Sequence, residues 1–327
     1  MKAIVCEQFG PPSNLKYREI GNLEPKENEV LVTVEACGVN FPDTLIIQGL
    51  YQFKPELPFI PGSDVAGVVK EVGAGVTHVR PGDAVFGFVL NGGFAEEVVV
   101  PATACFPKPD QMDFSIAASF MMAYGTSYHA LKDRGNLKEG ETLLVLGASG
   151  GVGLAAVELG KLMGAKVIAA ASSPEKLKLC EQYGADEVID YVNENLKERI
   201  KTLTNGCGVD VIYDPVGGNY TESALRGMAW GGKYLVVGFA AGEIPKIPLN
   251  LPLLKGCAIV GVFWGNFAMK MPKENMQNTK ELMQWYAEGK LKPHIYGVYP
   301  LKEAPRALEE MMQRKVMGKV IIGIKAK

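Results

Sequence analysis

Three glycines spaced three residues apart carry the clearest chemical signal in this sequence. Gly147, Gly150 and Gly153 follow the apolar run Thr142–Leu146 and precede an apolar stretch of helical length. Glycine permits a tight turn, lets backbone N–H groups approach a pyrophosphate, and allows a helix to pack closely on a strand. The spacing differs from the commoner G-x-G-x-x-G pattern, and a purely structural turn is the alternative. The flanking elements favour a dinucleotide site, for which we predict contacts from Gly147, Ser149, Gly150, Gly151, Val152 and Gly153.

The end of the next strand decides which dinucleotide fits. NAD sites usually carry an acid about 20 residues past the glycines, whereas this strand ends in Ala171–Lys176 (ASSPEK). A carboxylate at the strand end would repel a ribose 2′-phosphate, while Ser172, Ser173 and the Lys176 ammonium would hold one. We therefore predict NADPH as the cofactor. The same residues have a structural interpretation, because Ser172-x-x-Glu175 is a capping box and Lys176 could be a solvated surface lysine.

Glycines follow two further strands of the same region. Asp214–Gly218 (DPVGG) ends one strand and Val237–Phe239 (VGF) ends another. Ligands of open α/β sheets lie beyond the carboxyl ends of the strands. We predict that these turns border the nicotinamide half of the cofactor, with ordinary strand-to-helix turns as the alternative. The residues concerned are Val216, Gly217, Gly238 and Phe239.

The elements that must position these residues fall into two patterns. Short β-rich runs broken by Gly and Pro fill residues 1–123 and indicate a compact, barrel-like unit. From 124 to 264, strands alternate with helices, which predicts a doubly wound α/β sheet. The last strand is expected to return to the first domain, so we predict one domain from 1–123 and 265–327 and a second from 124–264. The predicted strands are Val30–Glu35, Val65–Val72, Phe94–Val100, Thr142–Leu146, Lys166–Ala171, Val188–Asp190, Val209–Tyr213, Tyr234–Val237, Ile259–Phe263 and Lys319–Ile324. The predicted helices are Val152–Met163, Lys280–Ala287 and Ala304–Met312.

Bulk composition excludes several classes of partner. The chain has 327 residues and a formal net charge of −2, without the long basic runs that nucleic-acid binding needs. It has no apolar run long enough to span a bilayer, so we expect no membrane partner. The six cysteines are scattered without paired spacing, and the residues before Glu7 form no apolar stretch of signal-peptide length. We expect a cytoplasmic protein, and a mitochondrial destination stays open if a transit segment precedes this sequence.

Four stretches carry a resemblance to a known family over essentially the whole length. They are Gly38–Asp43 (GVNFPD), Pro61–Gly67 (PGSDVAG), Gly147–Gly153 and Gly318–Val320 (GKV). The chain resembles the zinc-free quinone oxidoreductase branch of the medium-chain dehydrogenase/reductase superfamily, which includes zeta-crystallin. Gly261–Gly265 (GVFWG) is similar to the quinone oxidoreductase-like subgroup in particular.

The resemblance implies both an architecture and an assembly. It implies a Rossmann domain with a doubly wound parallel sheet plus a discontinuous GroES-like β-barrel domain that carries the catalytic residues. NADPH would bind in the cleft. A homodimer would form through the last sheet strand, here Ala258–Phe263, for which an interior strand is the alternative.

The resemblance also suggests roles for individual residues. Asn40 and Tyr51 are implied as catalytic donors to the acceptor's developing oxyanion, with loop-stabilising hydrogen bonds as the alternative. Tyr191 is implied near the adenine and 2′-phosphate, although an exposed strand-end tyrosine would look the same. The remaining residues assigned to the cofactor site are Thr126, Phe263, Trp264 and Lys319, for some of which helix packing, core or dimer contacts are alternatives.

Departures from the zinc alcohol dehydrogenases point to a reaction without metal. Those relatives place a cysteine ligand where Asn40 stands and a His-Glu pair where Ser63 and Asp64 stand. Neither Asn nor Ser is a usual zinc ligand, so we expect no metal. The predicted function is NADPH-dependent hydride transfer to a quinone or other α,β-unsaturated carbonyl acceptor. An enoyl-thioester (acryloyl-CoA-type) reductase and a crystallin-like NADPH-binding protein with little turnover are the alternatives.

Overall fold

The computed structural model describes residues 1–324 and divides into two compact units. The first contains Met1–Met122 and the described residues from Pro293 onward, and the second is Ala123–Lys292. The sequence placed the return to the first domain at residue 265, and positions 325–327 of that predicted range lie outside the described residues. Residues 265–292 instead pack within the second unit, where the Phe267 ring stacks on His129 with 3.9 Å between centroids.

Fifteen strands are formed within residues 1–324. They are β1 Lys2–Val5, β2 Lys16–Glu19, β3 Glu29–Val39, β4 Asp64–Val72, β5 Ala84–Phe88, β6 Glu97–Pro101, β7 Cys105–Pro107, β8 Thr142–Leu146, β9 Lys166–Ala171, β10 Glu187–Asp190, β11 Val209–Asp214, β12 Met228–Val236, β13 Ala258–Gly261, β14 Ile295–Pro300 and β15 Lys319–Gly323.

Eleven α-helices accompany them in the same range. They are α1 Phe41–Ile46, α2 Phe114–Ala117, α3 Met121–Tyr128, α4 Gly151–Leu162, α5 Pro174–Gln182, α6 Leu196–Leu203, α7 Tyr220–Arg226, α8 Asn250–Lys255, α9 Trp264–Lys270, α10 Pro272–Ala287 and α11 Ala304–Met312. A π-helical turn, His129–Arg134, follows α3. None of the described helices is both long enough and apolar enough to cross a bilayer.

The first unit is built on a seven-stranded sheet in the order β14-β15-β3-β4-β5-β7, with β6 also paired to β3. All pairs are antiparallel except β14 with β15. The apolar side chains of β3 alternate into the core, where Val32 and Val34 pack with Phe94. Because β15 pairs with β3, a strand from the end of the chain completes a sheet begun near its start.

The second unit is built on a parallel six-stranded sheet in the order β10-β9-β8-β11-β12-β13. The chain starts in the middle at β8, runs outward to β10, returns to β11 and then runs outward the other way. This reversal places a topological switch point between β8 and β11, where ligands of such sheets bind. The predicted fold class, a doubly wound parallel sheet plus a discontinuous β-rich domain, is confirmed.

Several element boundaries differ from the prediction. Helix α10 begins at Pro272 rather than Lys280, because its first two turns are polar and largely exposed and so lack apolar periodicity. Helix α5 is capped by Ser173, whose Oγ accepts from the Lys176 N–H at 3.4 Å, so the predicted capping box starting at Ser172 was wrong by one residue. This shift leaves the Ser172 side chain outside the cap.

Candidate functional site

The turn between β8 and α4 requires glycine at two of its three motif positions. Gly147 has φ +57°, and a Cβ there would lie 2.7 Å from Val216 Cγ2. A Cβ on Gly153 would lie 2.3 Å from the Gly147 carbonyl oxygen and 2.9 Å from Ala148 Cα. These two glycines are therefore explained by the turn and by the close packing of α4 on β8.

Gly150 has a different explanation. It is the N-cap of α4, with φ −76° and ψ 171°, and no side chain caps the helix. The atom nearest to a Cβ at this position would be Gly147 O at 3.4 Å, so the protein itself leaves room for a side chain. The open space faces the uncapped N–H groups of a 12-residue helix, a place suited to a phosphate. Ser149 is buried in the turn, and Gly151 and Val152 begin the helix.

The end of β9 brings two hydroxyls and an ammonium together. Lys176 Nζ donates to Ser172 Oγ at 3.2 Å, one residue before the Ser173 cap. β10 pairs beside β9, and the Tyr191 N–H donates to Ala171 O at 3.2 Å. The predicted 2′-phosphate residues and Tyr191 are thus neighbours at one edge of the sheet.

Asp214, a buried carboxylate for which the sequence predicts no role, organises the end of β11. Asp214 accepts from the backbone N–H groups of Val216 and Gly217, both at 2.8 Å. It also accepts from Tyr234 Oη at 2.6 Å and from Thr221 Oγ1 at 3.1 Å. Its signal in the sequence was an acid at the end of an apolar strand directly before a Pro-Val-Gly-Gly turn.

The turns after β11 and β12 lie against each other. The Gly238 N–H donates to Asp214 O at 3.2 Å, and a Cβ on Gly217 would lie 2.9 Å from Phe239 Cδ1. With Val216, these residues form one surface at the carboxyl ends of the two strands. Their contact with a nicotinamide stays a prediction.

The other predicted cofactor residues of the second unit have unequal exposure. Trp264 is buried, donates from Nε1 to Asn275 Oδ1 at 3.0 Å, and packs so closely on α3 that a Cβ at Gly125 would lie 2.8 Å from its ring. Thr126 is buried on α3, whereas Phe263 is 49% exposed. The burial and contacts of Trp264 are those of a core residue. Its predicted contact with the cofactor stays a prediction.

In the first unit, strand register joins three residues that are far apart in sequence. β3 lies between β4 and β15, with Gly38 opposite Asp64 and Val39 opposite Val320. Asn40 follows directly, and its Oδ1 accepts from Lys319 Nζ at 2.5 Å while its Nδ2 donates to Asp64 Oδ2 at 3.1 Å. Lys319 Nζ also lies 3.4 Å from Asp64 Oδ2, so the ammonium and the carboxylate form a buried ion pair.

One further titratable group, Asp43, belongs to this cluster. Asp43 accepts from the Asn40 N–H at 2.7 Å, and burial raises the pKa of its carboxyl to about 7. Burial also raises the pKa of Asp64, against the opposing effect of Lys319. The pKa of the Tyr51 hydroxyl is raised by burial and by the negative charge of Asp43, which keeps the hydroxyl protonated at neutral pH.

The side chains around Asn40 do not fit a zinc ion. At the positions where the zinc-dependent relatives have their ligands, this chain has the Asn40 carboxamide, the Ser63 hydroxyl and the Asp64 carboxylate, and the first two are not usual zinc ligands. The Lys319 ammonium already pairs with the carboxylate and would repel a second cation. Within residues 1–324, no three His, Cys, Asp or Glu side chains are grouped as a metal site requires.

Comparison with known proteins gives a consistent family. Residues 26–110 match the alcohol dehydrogenase GroES-like domain and residues 151–287 match the zinc-binding dehydrogenase family. The quinone oxidoreductase-like protein 2 homolog of Nematostella vectensis is 42% identical over 99% of this chain and 89% of that protein. Quinone oxidoreductase of Rattus norvegicus is 37% identical over 98% and 97%. The structure of Escherichia coli quinone oxidoreductase complexed with NADPH aligns with a TM-score of 0.94 at 31% identity, over 99% of this chain and 100% of that one. This chain therefore belongs to the quinone oxidoreductase family of the medium-chain dehydrogenase/reductase superfamily.

Proposed function

We propose that this protein is an NADPH-dependent reductase that reduces a quinone or another α,β-unsaturated carbonyl compound without zinc. The observation that carries the choice of nucleotide is the end of β9, where Ser172 and Lys176 are hydrogen-bonded at the position of the acid in NAD sites. The names of the relatives, and the NADPH bound to the E. coli enzyme, support the same assignment.

The residues of the second unit would hold the cofactor along the carboxyl edge of its sheet. The pyrophosphate fits the N-terminus of α4 beside Gly150, and the 2′-phosphate fits Ser172, Ser173 and Lys176. The paired turns after β11 and β12 would border the nicotinamide, held in place by Asp214. When bound, NADPH would supply the hydride.

The residues of the first unit would act on the acceptor. The Asn40 amide would donate to the acceptor's carbonyl oxygen as negative charge develops there. Tyr51 or water would supply the proton. Because hydroquinone oxygens carry negative charge well, such a site can reduce quinones with hydrogen-bond donors alone.

The decisive experiment follows NADPH oxidation with 1,2-naphthoquinone, beside crotonyl-CoA and with NADH in parallel. We expect turnover of the quinone with NADPH and little with NADH. Turnover with the thioester alone would move the substrate to enoyl thioesters, while tight NADPH binding without turnover of either acceptor would overturn the proposal. Metal analysis of the active protein should find no stoichiometric zinc.

We further propose that the protein is a homodimer joined through β13. Within residues 1–324, β13 pairs with β12 alone and so forms one edge of the parallel sheet. Ile259 on this strand is 40% exposed, and neighbouring α8 exposes Leu253 and Leu254 by 77% and 68%. An apolar sheet edge of this kind is suited to pairing with a second copy of the chain.

A further inference from the structure

The hydrogen-bond partners of Asn40 fix the orientation of its carboxamide. An ammonium can only donate, so Lys319 must face the amide oxygen, and the amide nitrogen therefore faces Asp64. The two bonds lie on opposite ends of the same planar group. The assignment of oxygen and nitrogen therefore follows from chemistry.

One N–H of the Asn40 amide is left poorly satisfied by this arrangement. The first points at Asp64, while the other acceptors near Nδ2, Gly38 O and Ser63 Oγ, both lie at 3.5 Å. That distance is at the limit of a hydrogen bond. Asn40 thus retains a donor that a ligand oxygen could use in full.

The Lys319 ammonium, in contrast, has a hydrogen-bond acceptor within its own unit for each of its hydrogens. Its ammonium donates to Asn40 Oδ1, to Val39 O at 3.3 Å and to Asp64 Oδ2 at 3.4 Å, and the residue is only 4% exposed. Three acceptors match the three hydrogens of an ammonium. The Lys319 ammonium therefore uses its hydrogens within the cluster, on Asn40, Val39 and Asp64.

We propose that Lys319 is a positioning residue for carbonyl reduction, which orients and polarises the Asn40 amide so that its second N–H donates to the acceptor oxygen. A positive charge on the amide oxygen draws electron density from the nitrogen and strengthens its N–H as a donor, an effect that low local dielectric enhances. Asp64 accepts from the other N–H and forms an ion pair with the ammonium. This inference rests on the proposed function of Asn40 and assigns Lys319 an action through Asn40 instead of a contact with the cofactor.

A double-mutant cycle between Lys319 and Asn40 tests the proposal. Lys319→Met removes the charge at nearly the same length, and we expect it to lower kcat for 1,2-naphthoquinone about 10- to 100-fold, as the loss of a charge-assisted hydrogen bond to a transition-state donor does. The Kd for NADPH, measured by fluorescence titration, should change by less than about twofold, since no cofactor contact is lost. In an Asn40→Ala background, Lys319→Met should lower kcat by less than about threefold, because residues that act as one unit are not additive.

Two further variants separate this role from a loss of folding. Lys319→Met leaves Asp64 as an unpaired buried charge, so the pair Lys319→Met/Asp64→Asn removes both charges and should show the same fall in kcat. Lys70→Met is the matched control, because Lys70 is 41% exposed and bonded only to Glu97 among the described contacts. We expect it to leave kcat unchanged.

Several results would overturn the inference. An equal loss of kcat in the wild-type and Asn40→Ala backgrounds would show that Lys319 acts independently of Asn40. A loss confined to NADPH affinity would show a direct cofactor contact, and wild-type kcat in the doubly neutralised variant would show that the charge is dispensable.

An NMR measurement keeps the inference separate from the proposed function. If the wild-type protein reduced no acceptor, the proposed function would fail. The chemical shifts of the Asn40 side-chain amide protons would still show whether Lys319 polarises this amide. We expect downfield amide protons that move upfield in Lys319→Met. An unchanged signal would overturn the inference whatever the activity.

Discussion

Buried carboxyl groups in this chain differ according to the donors that surround them. Asp214 has four donors, two from the backbone turn it holds and two from Tyr234 and Thr221, so it serves as a fixed support. Asp43 and Asp64 lie near one ammonium, that of Lys319, and burial raises the pKa of both. Asp214 therefore stabilises a turn. The protonation of Asp43 and Asp64, in contrast, makes the charge of the cluster around Asn40 depend on pH.

Asp43 should make the stability of the protein fall as pH rises from about 4 to about 7. Its pKa of about 7 in the folded state exceeds its ordinary value of 3.8, so in this window the folded protein holds a proton that the unfolded chain has lost. The free energy of unfolding then decreases with pH, by at most about 1.4 kcal/mol per pH unit for one group. Asp43→Asn should flatten this slope in urea unfolding series, while substitution of the exposed Asp110 by Asn should not. Identical slopes for wild type and Asp43→Asn would contradict the assignment.

Lys176 should determine the preference for NADPH. Replacing it with Ala removes a charge-assisted bond to the 2′-phosphate, so we expect the KM for NADPH to rise about 10- to 100-fold while the KM for NADH stays nearly constant. Lys178→Ala is the control, because Lys178 is an exposed lysine on the same helix, α5. Equal effects on both nucleotides would show that Lys176 does not contact the 2′-phosphate.

At the scale of elements, the sequence predicts best those strands that are buried on both faces. β8 and β9 have the predicted bounds because such strands are uninterrupted apolar runs. The residues after β8, β9, β11 and β12 could be grouped in advance because parallel strands bring their carboxyl ends to one edge. Asn40 and Lys319 could not be joined in the same way, since 279 residues separate them and only the register of β15 on β3 brings them together.

The start of α4 allows the structural and ligand-binding roles of glycine to be separated. Gly153→Ala should destabilise the protein on the order of 1–3 kcal/mol, since its Cβ would lie 2.3 Å from Gly147 O and the backbone must move. Gly150→Ala should change stability by less than about 1 kcal/mol, yet weaken NADPH binding because the methyl group would occupy the space for the pyrophosphate. Urea unfolding without nucleotide and NADPH titration measure the two effects. The interpretation of Gly150 fails if its alanine variant binds NADPH as tightly as the wild type.

At the scale of the whole molecule, the second unit's sheet ends in a strand whose apolar side chains are exposed. Joining β13 of two copies would extend the parallel sheet of one chain into that of the other and bury exposed apolar side chains of this strand. A lysine at such an edge opposes pairing because its charge would have to be desolvated against the neighbouring strand. Ile259→Lys should therefore convert the proposed homodimer into a monomer, with the mass from light scattering falling by about half. Ile244→Lys is the matched control, because Ile244 is also exposed but lies outside β13, and this variant should remain dimeric. If Ile259→Lys stays dimeric, the copies associate through another surface and β13 is simply a solvent-exposed edge.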